Sequence, residues 1–503
     1  MSADHDTPAA GPLDVRARLS GARLLVMGGT GFLGKVLVSL LLDRFPDIGH
    51  IYLVVRPRKD GDGRVRLGSE ERFRREILTS PVFDPLRRRY PGAAFDAFMA
   101  DKLTPVPGDV SEPFGGLPAE VRDRLRGTLS AFVNVAGVVS FTPPLDYALN
   151  ANAFGMQNLV ALVRDLSGPA NGDDGLPFLH TSTCYVAGSR TGAVEEIDPL
   201  EFPFPKADVL DRAHWDPDRE IAECVDLVDN VRHRVRDAFR QSHFHDQARR
   251  NLQERGEPCR GRALEEELAR VKRQYTDKQL TEQGMERARY WGWPNTYTYT
   301  KSLGEQILRR SGLPHTICRP AIIESALEFP EPGWNEGINT SAPMIYLALK
   351  SPVAYAAGKD NVVDLIPVDL VATGMVLALA ELLDGSHKVV YQLGSSDSNP
   401  LEILRIFELV GLYKRRYYKH EAGGNPLLNA IQARLAPVGL PEDRYRRWGP
   451  AFRARQVKAA RDLVAGLRQG PLKPLAGTAT RQLDRLARGL EVQAFIADQF
   501  VPF

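Results

Sequence analysis

Several things are missing from this sequence of 503 residues, and each absence narrows the field. Cysteine is scarce. Cys184, Cys224, Cys259 and Cys318 form no Cys-x-x-Cys pair, which argues against a zinc site or a disulfide framework and points to a reducing, cytoplasmic setting. No run of about eighteen apolar residues occurs, so no segment is expected to span a bilayer. The stretch Met375–Leu383 is too short and is interrupted by Glu381. The opening, Met1 to Arg16, has no apolar centre, so it is not read as a signal peptide; residues 1–20 read as a disordered lead-in. A large net charge is also lacking, at +2, and nothing points to nucleic acid. No internal repeat is found.

The small net charge hides an asymmetry. From Leu401 to Phe503 there are eighteen Lys/Arg against nine Asp/Glu, so this region is strongly basic and the rest is acidic. It is either a solvated helical face or a surface for an acidic ligand or a peripheral membrane contact.

Along the chain, Arg23–Met27 is an apolar run ending in glycines, Leu33–Phe45 has helical spacing and Ile51–Val55 is a second buried strand. Together they read as one βαβ unit. Further short apolar runs fall at Ala131–Val135, Phe178–His180, Thr316–Cys318 and Val389–Leu393, with helical segments between most of them. The alternation predicts an α/β fold with a Rossmann-type, doubly wound parallel sheet. Asp216–Tyr290 is charged and poor in strand signals, and reads as a helical insertion at about 216–290 within a cofactor-binding domain over 21–330. Residues 331–400 read as mixed segments, and 401–503 as a mainly helical, substrate-binding region.

Gly28-Gly29-Thr30-Gly31-Phe32-Leu33-Gly34 sits between a strand and a helix, the context in which a glycine turn cradles a dinucleotide pyrophosphate. Gly28 permits the tight turn, Gly31 lets backbone approach the phosphates and Gly34 lets the helix pack closely. The second strand runs into Arg56-Pro57-Arg58-Lys59 rather than an acidic residue. Cations there suit a 2′-phosphate, so the expected cofactor is NADPH with Arg56 its main partner; the plain alternative is a solvated basic loop. Tyr297 and Lys301 are one turn apart on a predicted helix, where an ammonium can stabilise phenolate and draw the phenol pKa towards neutrality. Ser182 and Thr183 follow the strand Phe178–His180, at the edge where such sheets hold ligands. His243, His245 and Asp246 do not share a helix face in a way that suits a metal, and none is expected. Cys184 beside Thr183 reads as a small buried side chain.

Asp109 in Pro107–Val110, Asn134–Gly137, Asn152-x-x-Gly155, Ser182-Thr183 and Tyr297–Lys301 occur in the order of extended short-chain dehydrogenases. Gly292–Tyr297, Arg319–Ile323, Pro332-Gly333-Trp334 and Asp364–Asp369 narrow this further. The set resembles the fatty acyl-CoA reductase family, particularly its soluble bacterial branch, over about Gly21 to Pro400. Two features depart from it: Asn134-Val135-Ala136-Gly137 replaces the more usual His-x-Ala-Ala, and the sequence has no counterpart of the membrane-spanning tail of animal and plant relatives.

The resemblance implies Thr183, Tyr297 and Lys301 as the catalytic trio. It places Gly28, Thr30, Gly31, Phe32, Leu33, Gly34, Arg56, Arg58, Asp109, Val110, Ala136, Lys301 and Pro320 against NADPH. It implies reduction of a long-chain acyl-CoA, or an acyl group on carrier protein, through the aldehyde to the alcohol. A long chain needs apolar walls, expected from Trp334 to Leu349 and around Leu401–Leu412. The alternatives are a reductase that stops at the aldehyde, a nucleotide-sugar epimerase or dehydratase, and a cofactor-binding regulatory protein.

Overall fold

The computed structural model describes residues 12–60, 63–137, 139–172, 175–190, 192–337, 341–350, 354–358, 360–466 and 473–498. The chain forms two compact units. The first runs through Ala321 and takes in Ser325–Trp334 and Pro367–Leu393. The second comprises Ile322–Glu324, Asn335–Ile366 and the chain from Gly394.

The first unit is built on seven strands: β1 (Arg23–Met27), β2 (His50–Val55), β3 (Leu103–Pro107), β4 (Ala131–Asn134), β5 (Phe178–Thr181), β6 (His315–Pro320) and β7 (Val390–Leu393). They pair in the order β3-β2-β1-β4-β5-β6-β7, every pair parallel. This is the doubly wound Rossmann order, in which the strand sequence reverses beside β1. The inner strands are buried along nearly their whole length because helices cover both faces. Leu25, Met27, Phe132 and Ile317 share one core with Leu159, Leu162 and Val163 of α2 (Phe154–Leu166). Leu24 and Val26 point the other way by alternation and are equally buried. On the far side from α2, α1 (Phe32–Arg44) packs along the helix Val368–Asp384.

Strand β3 was not expected, because Pro105 and Pro107 mask it. It lies at the sheet edge, where a strand can lack ladder donors. The N-terminal lead-in also differs from expectation. Residues 1–11 lie outside the described residues, but Val15–Leu19 is helical, its Ala17 N–H capped by Asp14 at 3.0 Å. Leu19 is fully buried and Ser20 bridges to Ile48, so burial of one apolar side chain extends order towards the N-terminus.

Between β5 and β6 the chain runs through α3 (Pro217–Arg236), α4 (Ala238–Arg255) and α5 (Arg262–Trp291) before α6 (Thr296–Arg310). The insertion is tied to α6 by a buried carboxylate. Glu220 accepts from Arg287 Nε at 2.7 Å and from Trp291 Nε1 at 2.8 Å, and from the Tyr299 hydroxyl. A buried carboxylate is tolerated when each oxygen is satisfied in this way.

In the second unit the helices Ala342–Lys350 and Ile403–His420 pack together. Tyr355 stacks on Phe407 at 5.1 Å and donates to the Met344 carbonyl at 2.9 Å. The buried Lys414 ammonium donates to the Ala348 carbonyl at 3.0 Å, near the end of its helix. Residues 338–340 of the expected apolar wall lie outside the described residues. Helices Pro426–Arg434, Glu442–Trp448, Pro450–Gly466 and Lys473–Asp498 complete this unit. Among the described residues no helix is long and apolar enough to cross a membrane.

Candidate active site

The glycine turn joins β1 to α1 at the carboxyl end of the sheet. Gly28 has φ +85°, and an added Cβ would lie 2.3 Å from Ala136 N. Only glycine fits there. At Gly34 a Cβ would meet Gly28 O at 2.4 Å, so this glycine brings the first turn of α1 onto the loop. Gly31 is different: a Cβ there would meet nothing nearer than Gly28 O at 3.5 Å. The face above Gly31 is open, and α1 begins from Gly31 with no side-chain cap. Uncapped N–H groups and an open approach fit a pyrophosphate. Thr30 lies within this turn, and Phe32 and Leu33 open the helix.

Trp334 stacks on Phe32 with centroids 5.5 Å apart and planes 13° from parallel. Its loop is anchored by Asp369, whose carboxylate accepts the N–H groups of Leu327, Glu328 and Phe329 at 2.8–3.0 Å. Neither the stack nor the anchor was foreseen; both join segments far apart in sequence.

Arg56 follows β2 and Asp109 follows β3, with the guanidinium 3.7 Å from the carboxylate. Asp109 also accepts Ser111 N–H at 3.1 Å. Arg58 is paired with Glu76 at 3.1 Å in a small hairpin of Arg58–Lys59 with Val65–Leu67. Arg56 and Asp109 are thus brought together, and Arg58 is held by a separate partner. Val110 packs against Gly155, where a Cβ would lie 3.0 Å from Val110 Cγ2. Ala136 N–H is held by Asn134 Oδ1 at 3.0 Å, and Asn134 Nδ2 meets His180 Nδ1 at 3.1 Å.

Helix α6 carries Tyr297 in its first turn, capped by Asn295 Oδ1 on Thr298 N–H at 2.9 Å. The preceding Gly292, at φ +106°, ends α5 and turns the chain. Trp293 Nε1 donates to the Val186 carbonyl at 2.8 Å, fixing the start of α6 to the loop that carries Thr183. The Thr183 hydroxyl lies 3.5 Å from the Pro320 carbonyl at the end of β6 and close enough to the Tyr297 phenol to favour its ionised form. The adjacent Ser182 hydroxyl is buried without a partner among the described residues. Phe141 lies edge-on to the phenol ring at 6.0 Å.

Lys301, one turn beyond, donates from Nζ to the Thr181 carbonyl at 2.9 Å. Burial lowers its pKa to about 8, with the Glu305 carboxylate partly opposing. Glu305 is itself gripped by Arg319 at 2.6 and 3.0 Å. The electrostatics of Tyr297 depart from expectation. Burial pushes the phenol above its ordinary range, the nearby Cys184 adds to this, and the Thr183 hydroxyl opposes it. The ammonium was expected to draw the phenol down; it faces the Thr181 carbonyl instead.

Two further residues belong to this cluster. Asn152, in a short π-helical turn leading into α2, donates to Thr300 Oγ1 at 2.9 Å while its Oδ1 is buried and unpartnered among the described residues. A Cβ on Gly137 would lie 2.7 Å from Lys301 Nζ, so the departure from Ala at this position leaves room beside the ammonium. Among the described residues no group of three His, Cys, Asp or Glu could hold a metal.

Residues 26–375 match the family model described as Male sterility protein, an NAD-binding family. The chain is 30% identical to Fatty acyl-CoA reductase 8 of Arabidopsis thaliana over 425 residues, covering 84% of this chain and 75% of that protein. The chain belongs to the fatty acyl-CoA reductase family. It is 27% identical to the Alcohol-forming fatty acyl-CoA reductase of Simmondsia chinensis, over 84% of this chain and 75% of that one. It is 26% identical to the chloroplastic Fatty acyl-CoA reductase 2 of Arabidopsis thaliana, over 97% and 72%. Among solved structures it is similar to the terminal R domain from the myxalamid PKS-NRPS biosynthetic pathway, at TM-score 0.48 and 17% identity over 94% of this chain and 79% of that one. Family membership makes the chain an oxidoreductase with a nicotinamide-cofactor-binding Rossmann unit.

Proposed function

We propose that this protein reduces long-chain fatty acyl-CoA to the fatty alcohol through the aldehyde, with NADPH, at Thr183, Tyr297 and Lys301. What supports the reading is the Thr183 hydroxyl beside the Tyr297 phenol, with Lys301 one turn along the same helix, in a chain of this family. Gly28, Thr30, Gly31, Phe32, Leu33, Gly34, Arg56, Asp109, Val110, Ala136 and Pro320 would hold the cofactor, Arg56 meeting its 2′-phosphate. When bound, that cofactor supplies hydride, once to the thioester carbonyl and once to the aldehyde.

The residues do the rest. The hydroxyls of Thr183 and Tyr297 converge where an oxyanion develops, and each fixed donor of this kind contributes a few kcal/mol. As the tetrahedral oxyanion collapses, the C–S bond breaks and the thiolate of CoA leaves with the electron pair. At the aldehyde stage Tyr297 gives its proton to the alkoxide. A phenol held above its usual pKa by burial keeps that proton until a strong base forms beside it. Lys301, still charged at neutral pH with a pKa of about 8, would hold the ribose of the nicotinamide.

The test is stoichiometry and product. The protein is incubated with palmitoyl-CoA and NADPH, CoA release is measured with a thiol reagent, and products are identified by gas chromatography. Two NADPH consumed per CoA, with alcohol as product, is the expected result. One NADPH per CoA with aldehyde accumulating would replace the alcohol reading with the aldehyde one.

A further inference from the structure

The second unit exposes apolar side chains on two consecutive helices that pack against each other, Ile403–His420 and Pro426–Arg434. The first buries Ile403, Ile406, Phe407 and Val410 and turns Leu409, Leu412, Tyr413 and Tyr417 outward. These fall at i, i+3, i+4 and i+8, a stripe of their own beside the buried one. Tyr413 and Tyr417 stack along it at 6.4 Å. The second helix buries none of its residues; Leu427 is 71% exposed, Leu428 60% and Ile431 49%. A nine-residue helix draws its stability from burying an apolar face, so this one lacks its cover. Charge identifies the cover. Between Ile403 and Arg434 there are six Lys/Arg against two Glu. Of these, Arg415, Lys419 and Arg434 have no carboxylate at ion-pair distance among the described residues. A second copy of the same face would set like charges against each other. Leucine and tyrosine flanked by long cationic side chains match the boundary of an anionic bilayer, where apolar side chains enter the acyl region and cations reach the headgroups.

We propose that helices Ile403–His420 and Pro426–Arg434 dock this protein on anionic lipid surfaces. The proposal stands apart from the reaction and is tested without it. The full chain is floated with vesicles of phosphatidylcholine alone and with phosphatidylcholine and phosphatidylglycerol in equal parts. Wild type is compared with Leu412→Glu/Leu428→Glu and with Arg415→Glu/Lys419→Glu. Wild type should float with the mixed vesicles and weakly with neutral ones. The leucine pair should weaken binding by roughly tenfold per side chain, and the cation pair by about fivefold per charge, with salt weakening wild type in the same direction. Unfolding curves check that the variants are folded; if the leucine pair is not, the exposed cation pair carries the test. No flotation of wild type with mixed vesicles, or equal flotation of wild type and folded variants, overturns the proposal. So does a wild-type dimer that the same substitutions dissociate, which would assign the face to a second copy.

Discussion

The buried charge on Lys301 should lower the stability of this protein at neutral pH, by an amount that fades as pH rises. Its ammonium is buried with one carbonyl partner, and burial lowers its pKa from 10.5 to about 8. The folded pKa lies below the unfolded one, so between them the unfolded chain binds more protons. The charged lysine therefore opposes folding in full below about pH 8, and the penalty fades as pH rises towards 10.5. A difference of 2.5 units is worth roughly 3 kcal/mol near pH 7 and about half of that near pH 9.5. Lys301→Met removes this penalty but leaves the Thr181 carbonyl unpaired, costing about 1–3 kcal/mol at either pH. The assay is guanidinium unfolding of both proteins, without cofactor, at the two pH values. The stability of the methionine variant relative to wild type should fall by roughly 2 kcal/mol from the lower pH to the higher. A difference that does not change with pH would refute the reasoning. The variant should be inactive throughout.

Gly28→Ala and Gly31→Ala should separate folding from binding. The first forces a Cβ to within 2.3 Å of backbone at positive φ and should destabilise by about 3 kcal/mol or more. The second makes only an ordinary contact with Gly28 O at 3.5 Å and should leave the unfolding midpoint nearly unchanged while weakening cofactor binding about tenfold or more, as read by fluorescence titration. Arg56→Ala should raise KM for NADPH by about tenfold and leave NADH little affected; equal effects on both would remove Arg56 from 2′-phosphate recognition.

The parts of the fold legible in the sequence were those set by local patterns. The strands β1, β2, β4, β5 and β6 are buried along nearly their whole length and each carries a short apolar run, as does β7 at the sheet edge, where only Val390 is fully buried. Strand β3 escaped because Pro105 and Pro107 break that signal, and an edge position tolerates them. The same division runs through the site. The glycine turn, Thr183 and the Tyr297–Lys301 spacing lie within short stretches of chain. By contrast, the Trp334–Phe32 stack, the Asp369 anchor and the room that Gly137 leaves beside Lys301 each join distant segments, and no local pattern carries them. The phenol's electrostatics depend on where the ammonium finds its partner. Helical spacing put Lys301 on the right face but said nothing of the Thr181 carbonyl that holds it.

The most direct test of the account uses palmitoyl-CoA and NADPH with wild type and Tyr297→Phe, following NADPH oxidation and, in parallel, NADPH binding. The account predicts turnover by wild type, a loss of about a hundredfold or more in the variant, and NADPH affinity within about twofold of wild type, since the ring stays and only the proton donor goes. A variant that keeps its turnover, or that loses NADPH binding along with it, would contradict the role given to Tyr297.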